Sequence, residues 1–179
     1  MCIEIASKIR TSSFNPSIIV GIARGGWIPA RILSDLLENS YTAHMKIEFY
    51  RGINEREKTP IITQPVTASV RGESVLIVDD VADTGLSLIV ARESIKWGGA
   101  KEIRIATLYY KPKRSRVKPD YYARETDAWV VFPWEVKETI RKIAVMLKNK
   151  GLSRDQIKRE LYNIGLKKKH VDLFLPKDL

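Results

Sequence analysis

This chain of 179 residues has one cysteine, Cys2, and two histidines, His44 and His170. A lone thiol excludes an internal disulfide and any cysteine cluster around a metal, and two histidines make a poor basis for a zinc centre. No apolar run reaches the roughly 18 to 20 residues that a membrane helix needs, so no membrane partner is expected. Glu4 interrupts the N-terminal segment where a signal peptide would carry its apolar core, which leads to the expectation of a cytoplasmic protein. The absence of a G-x-x-x-x-G-K-S/T string sets aside a P-loop NTPase. Internal repeats and low-complexity stretches are also missing.

What is present concentrates in Ser74 to Ser87, SVLIVDDVADTGLS. Val75, Leu76, Ile77 and Val78 suit a buried parallel strand that ends on two adjacent carboxylates, Asp79 and Asp80. Asp83, Thr84, Gly85 and Ser87 then make a small polar turn that runs into the amphipathic segment Leu86 to Trp97. Strand, turn and helix start together form an anion site, because unpaired backbone N–H groups and the positive end of the helix dipole face the turn. A phosphate there would have two carboxylates within a sugar's reach, which fits a ligand joining a phosphate to a diol, such as a ribose 5-phosphate. The simpler reading, a strand and a turn that merely caps a helix, leaves three aspartates around one turn with no basic residue to offset their repulsion. A response-regulator receiver would share VLIVDD but needs an acceptor aspartate at the end of another apolar strand. Asp120 and Asp127 instead lie in polar or proline-containing surroundings. The acid pair also lacks the alternate spacing of D-x-D phosphatases.

The surrounding pattern is that of an α/β protein. A helix is expected over Cys2 to Arg10, a strand over Ser17 to Ala23, and a helix over Gly26 to Glu38 with Ile32, Leu33, Leu36 and Leu37 on one face. Met45 to Tyr50 reads as a strand and Arg51 to Arg71 as a loop or irregular hairpin. Strand 75 to 79 and helix 86 to 97 follow, then a strand over Ile103 to Tyr109. Such alternation predicts a largely parallel central sheet flanked by helices. From Pro133 the periodicity becomes helical, with Val136, Ile140, Ile143, Ala144 and Leu147 on one face. Gly151 breaks that helix, and Ser153 with Gln156 predicts a capping box for another that carries Ile157, Leu161 and Ile164. Residues 1–135 are therefore expected to form the core and 136–179 a helical appendage, which at this size would dock on the core or on a partner copy.

The formal net charge is +10, and its excess lies toward the C-terminus. From Val136 to Leu179, 12 Lys and Arg stand against 5 Asp and Glu, whereas the preceding 135 residues carry 19 against 16. Such a distribution describes the solvated face of exposed helices, so nucleic acid is not an expected partner; Lys167, Lys168 and Lys169 are the pointer in the other direction.

Four apolar residues, Asp-Asp, two residues and then Asp-Thr-Gly resemble the phosphoribosyl diphosphate (PRPP) signature of the type I phosphoribosyltransferases. The resemblance runs from about Ile18 to Glu135 and is closest to the xanthine-guanine and hypoxanthine-guanine enzymes. It implies the type I phosphoribosyltransferase fold with a small hood over the base. It also implies that Asp79 and Asp80 hold the ribose hydroxyls, directly or through Mg²⁺, and that Ala82, Asp83, Thr84, Gly85, Leu86 and Ser87 wrap the 5-phosphate, with Asp83 near the purine ring. Ala23, Arg24, Gly25 and Gly26, at the end of the first strand, resemble the pyrophosphate loop, in which the peptide entering the arginine is often strained or cis. At the strand end Tyr109-Tyr110-Lys111-Pro112, Lys111 would donate to a base carbonyl and find an adenine amino group a poor partner. Trp129 to Glu135 resembles the segment that covers the purine. In that match Trp129 stacks on the ring, Val130 offers backbone groups, and Glu135 meets the 2-position. Residues 51 to 71 correspond to the loop that closes over PRPP, with Tyr50 and Arg51 as its candidate residues. The start of this segment departs from the bacterial pattern, with Phe49-Tyr50-Arg51 in place of a Ser-Tyr pair.

The expected activity is transfer of the phosphoribosyl group from PRPP to hypoxanthine, guanine or xanthine, giving a nucleoside monophosphate and pyrophosphate in purine salvage. Asp79, Asp80 and Asp83 are the expected catalytic carboxylates, Mg²⁺ the expected cofactor, and a homodimer or homotetramer the expected assembly. The alternative is a regulatory protein of the same fold that senses PRPP or nucleotide without catalysis.

Overall fold

A computed structural model describes residues 1–50 and 59–177. They fall into two units, Met1–Asp127 and Ala128–Leu179. In the first, α1 (Cys2–Arg10) precedes β1 (Ile18–Ala23), α2 (Trp27–Leu36), β2 (Thr42–Tyr50), β3 (Thr59–Gln64) and β4 (Ser74–Ala82). Then come α3 (Leu86–Trp97), β5 (Glu102–Tyr110) and β6 (Tyr121–Glu125). The six strands form one sheet in the order β3-β2-β1-β4-β5-β6. Every neighbouring pair is parallel except β2 with β3.

The largely apolar central strands are explained by coverage on both faces. All six residues of β1 are buried, as parallel strands sandwiched between helices must be. Ile18, Val20 and Ile22 with Val75 and Ile77 share one core with Leu88, Ala91 and Ile95 of α3. The alternate residues Ile19, Leu76 and Val78 are equally buried and point to the other face, where α2 lies against β1 and β4. Each buried aliphatic side chain contributes about 1.5–3 kcal/mol through removal of its surface from water.

In this unit three elements go beyond the sequence expectation. Within the stretch read as a loop or irregular hairpin, 59–64 forms the edge strand β3, antiparallel to β2 with a register shift at Lys46/Ile47. Tyr121–Glu125 forms the opposite edge; its alternation is short and mixed with charge, as edge strands tolerate. β4 also continues past Asp79 to Ala82, pairing with β5 as far as Ala82↔Tyr110, whereas its pairing with β1 stops at Gly21↔Val78. Asp79 and Asp80 thus lie inside a strand that has lost its neighbour on one side. The loosened edge is between β1 and β4, where the strand order reverses and open α/β sheets bind their ligands.

The second unit holds α4 (Val136–Asn149), α5 (Arg154–Asn163) and α6 (Lys168–Phe174). Ile140, Ala144, Ile157, Leu161, Val171 and Leu175 form its own buried cluster. The capping box is present: Ser153 Oγ accepts from the Gln156 N–H at 3.4 Å, and Gln156 Oε1 accepts from the Ser153 N–H at 2.8 Å. The α6 helix was not expected, because a run of lysines, Lys167 at its cap and Lys168 and Lys169 within it, opens it and only Val171 within it is buried. The unit begins at Ala128, ahead of the Val136 boundary expected from helical periodicity, so the Trp129 to Glu135 segment groups with these helices. There Phe132 stacks on Trp134, with ring centroids 4.9 Å apart.

Candidate active site

A cavity of about 550 Å³ opens at the C-terminal end of β4. Asp79 and Asp80 line it and are 8% and 6% exposed, so both are carboxylates drawn almost wholly out of water. The Asp80 N–H donates to Asp79 Oδ1 at 3.0 Å, which fixes the first carboxylate against its own strand. Asp83, Thr84, Leu86 and Ser87 continue the wall, and Ala82 is buried beneath it. Gly85 caps α3 in the left-handed conformation at φ +77°, which glycine adopts without a Cβ clash. The first backbone N–H groups of α3 are therefore presented beside the acid pair, as an anion site requires.

The end of β1 closes on the same point. The Ala23-Arg24 peptide is cis, Arg24 is exposed, and Gly26 caps α2 with its N–H bonded to the Ile22 carbonyl at 2.8 Å. Gly25 lies so close to the acid pair that a side-chain carbon on it would stand 2.2 Å from Asp80 Oδ2. Only a residue without Cβ permits this approach, and the strand-end glycine and the acid pair thereby form one site.

Asp83 has cationic partners where the sequence reading supplied none. Lys111, 4% exposed at its side chain, places Nζ 3.6 Å from Asp83 Oδ1, and Arg114 places Nη1 3.1 Å from the same oxygen. The charge of Asp83 is therefore offset within the protein, which corrects the expectation that no basic residue stands against the three aspartates. The cations arrive by tertiary pairing. The Lys111 N–H donates to the Ala82 carbonyl at 3.0 Å and the Arg116 N–H to the Thr84 carbonyl at 2.9 Å, which lays the 111–117 segment along the turn.

Arg114, Arg116 and Phe49 line the cavity and were missed by sequence reasoning. The dense basic string K-P-K-R-S-R that begins at Lys111 was the available signal. Tyr50 ends β2 in an exposed position, 68% accessible; Arg51 lies outside the described residues. Trp129, Val130 and Glu135 belong to the second unit, where Trp129 is exposed and Glu135 caps α4. The site thus assembles in the first unit from β1, β4, α3 and the connection after β5.

Among the described residues no three acidic, histidine or cysteine side chains converge as a self-sufficient metal cage. Two adjacent buried carboxylates nevertheless suit a hard cation such as Mg²⁺, which takes one or two protein carboxylates and completes its shell with substrate oxygens and water.

Residues 1–141 match the phosphoribosyl transferase domain family. Over 119 residues the chain is 34% identical to a xanthine-guanine phosphoribosyltransferase of Gluconobacter oxydans, covering 65% of this chain and 67% of that protein. A second protein so named, from Nitratidesulfovibrio vulgaris, is 33% identical over 119 residues, with 65% and 68% coverage. Among solved structures, a purine phosphoribosyltransferase from Pyrococcus horikoshii superposes with a TM-score of 0.67 at 43% identity, covering 74% of this chain and 85% of that one. The chain belongs to the phosphoribosyl transferase domain family.

Proposed function

We propose that this protein is a 6-oxopurine phosphoribosyltransferase acting in purine salvage in the cytoplasm. It would transfer the phosphoribosyl group of PRPP to hypoxanthine, guanine or xanthine. The observation that carries the reading is the buried Lys111 paired with Asp83, a residue that lines one cavity with Asp79, Asp80 and the anion turn. Its neighbourhood joins a carbonyl-reading donor to a phosphate-and-diol cradle. The names of the relatives support the same substrate class.

In the reaction, purine N9 forms a bond to C1 of the ribosyl group as the bond from C1 to pyrophosphate breaks. Positive charge grows on the ribosyl ring as the leaving group departs. The buried Asp79 and Asp80 are placed to stabilise it, and their effect is large because water is largely excluded from them. Arg24 offsets charge that accumulates on pyrophosphate. Bound at Asp79 and Asp80, Mg²⁺ would neutralise pyrophosphate oxygens and orient the ribose. Asp83 accepts the proton held at purine N7, which leaves N9 nucleophilic. Lys111 donates to the 6-carbonyl and so favours oxopurines over adenine. By the family resemblance Trp129, Val130 and Glu135 would be the residues that meet the base, and Tyr50, at the end of β2, would lead into the segment that closes over PRPP, for which Arg51 is the other candidate.

Exposed apolar side chains on one helix, Trp27, Ile28 and Ile32 of α2, support a homodimer or homotetramer. A panel of hypoxanthine, guanine, xanthine and adenine with PRPP and Mg²⁺, followed for nucleotide and pyrophosphate, tests the function. Turnover with the oxopurines is the expected result. Tight PRPP binding without turnover on any base would favour a PRPP sensor instead.

A further inference from the structure

Asp83 Oδ1 is buried and accepts no hydrogen bond, although Arg114 Nη1 is 3.1 Å away and Lys111 Nζ 3.6 Å away. Its charge is compensated, but its acceptor capacity is unused, a combination that costs free energy in a buried group. A ring N–H of a base would supply the missing bond, yet that oxygen is covered. Of the two covering cations, Lys111 is 4% exposed and held in place, whereas Arg114 is 52% exposed at its side chain. Arg114 is thus the cover able to move.

The backbone of the same segment is tied to the phosphate turn. The Arg116 N–H donates to the Thr84 carbonyl at 2.9 Å, and a side-chain carbon on Gly85 would meet Ser115 Oγ at 2.6 Å. Arg114 also shares the cavity wall with Thr84 and Ser87. A phosphate ester bound at that turn presents a doubly charged, multidentate partner within the same cavity. A guanidinium matches phosphate oxygens in its forked geometry better than it matches one carboxylate oxygen to which it makes no hydrogen bond.

We propose that Arg114 is a positioning residue with two stations: it covers Asp83 Oδ1 in the empty site and moves onto the ribose phosphate when that is bound, uncovering the oxygen for the ring N–H of the purine. This rests on the reading of Asp83 as the residue that meets the base. The consequence is a coupling between the two substrate sites that runs through one side chain. A base binding alone must displace Arg114, whereas a base binding after the phosphate finds Asp83 exposed, and the effect is reciprocal.

The test uses the full-length protein with ribose 5-phosphate, which carries the phosphate and the diol but no leaving group, so that no reaction intervenes. Calorimetry measures the Kd of guanine, hypoxanthine and xanthine with and without saturating ribose 5-phosphate. In the parent, ribose 5-phosphate is expected to tighten base binding about tenfold, within the usual range for coupled sites. In Arg114→Ala the factor should fall to about one, with base alone binding tighter than to the parent and ribose 5-phosphate binding weaker. Arg114→Lys, which keeps a charge but loses the fork, should retain part of the coupling. A merely structural role for Arg114 would shift all affinities together and leave the coupling factor unchanged. Undiminished coupling in Arg114→Ala, or none in the parent, overturns the proposal. If the parent also forms nucleotide from PRPP and an oxopurine, the functional reading survives that failure. If no base binds and none is turned over, both fall.

Discussion

Replacing Gly25 by alanine isolates the contact that joins the β1 loop to the acid pair. The new Cβ would stand 2.2 Å from Asp80 Oδ2, 2.5 Å from its Cγ and 2.8 Å from Oδ1. An ordinary carbon contact is about 3.5–4 Å, so the carboxylate or the loop must retreat by more than about 1 Å. Asp80 is 6% exposed and lines the cavity, so its retreat disturbs either its packing or the site itself. Overpacking of this kind costs about 1–3 kcal/mol. For a chain of this size that corresponds to a fall in Tm of about 2–12 °C. The functional effect should be larger, since displacing a positioning group by about 1 Å can cost about 100-fold in rate. We therefore expect Gly25→Ala to raise the KM for PRPP or lower kcat/KM for PRPP by about 10- to 100-fold, measured as pyrophosphate release at saturating base. Ile9→Val serves as the control. It thins a fully packed residue of α1 at about 0.5–1.5 kcal/mol and should lower Tm without altering the KM for PRPP. A Gly25→Ala protein with parental kinetics would refute the claim that the β1 loop and Asp80 form one site.

Asp83→Asn should slow nucleotide formation about 10²- to 10⁴-fold while largely sparing PRPP binding, as loss of a general base does; stopped-flow turnover with calorimetry of PRPP checks it, and unchanged turnover would remove Asp83 from that role. Lys111→Ala should weaken the use of 6-oxopurines, read from kcat/KM on a base panel; equal use of adenine by the parent would overturn the carbonyl-reading assignment. In the second unit, the Lys158 ammonium and then the Tyr162 hydroxyl hold the Asp172 carboxyl below its ordinary value. A depressed carboxylate adds stability that is present above its unfolded pKa and lost as pH falls through the lowered folded value. Melting curves of parent and Asp172→Asn should accordingly differ at neutral pH and converge in acid, and a constant gap across that range would exclude this linkage.

How far the site was legible follows from how local each part is. Asp79, Asp80, Asp83, Thr84, Gly85 and Ser87 lie within one strand-turn-helix, whose geometry is decided by residues next to each other in the chain. Their order alone predicted an anion turn beside an acid pair; all of them but Gly85 line one cavity, and Gly85 caps α3 beside it. The arginines were not legible. Arg114 reaches Asp83 only because β5 pairs with β4 through Ala82↔Tyr110 and returns the following segment over the turn. Edge strands were also hidden: β3 and β6 expose much of their length, so burial leaves a weak alternation in them. The short α6 helix owes its place to Val171 in a local core rather than to its own sequence pattern.

The sequence by itself determined the alternation of strands and helices, the small polar turn before α3, the acid pair and the resemblance that named a substrate class. Periodicity and turn chemistry act over neighbouring residues, so they can be read in order. Only the tertiary structure decided that Gly25 abuts Asp80, that β4 runs on past its acid pair after losing β1, and that Lys111 and Arg114 offset the charge of Asp83. Those contacts depend on strand register and on which surfaces are buried together, and neither quantity is written in any single stretch of chain.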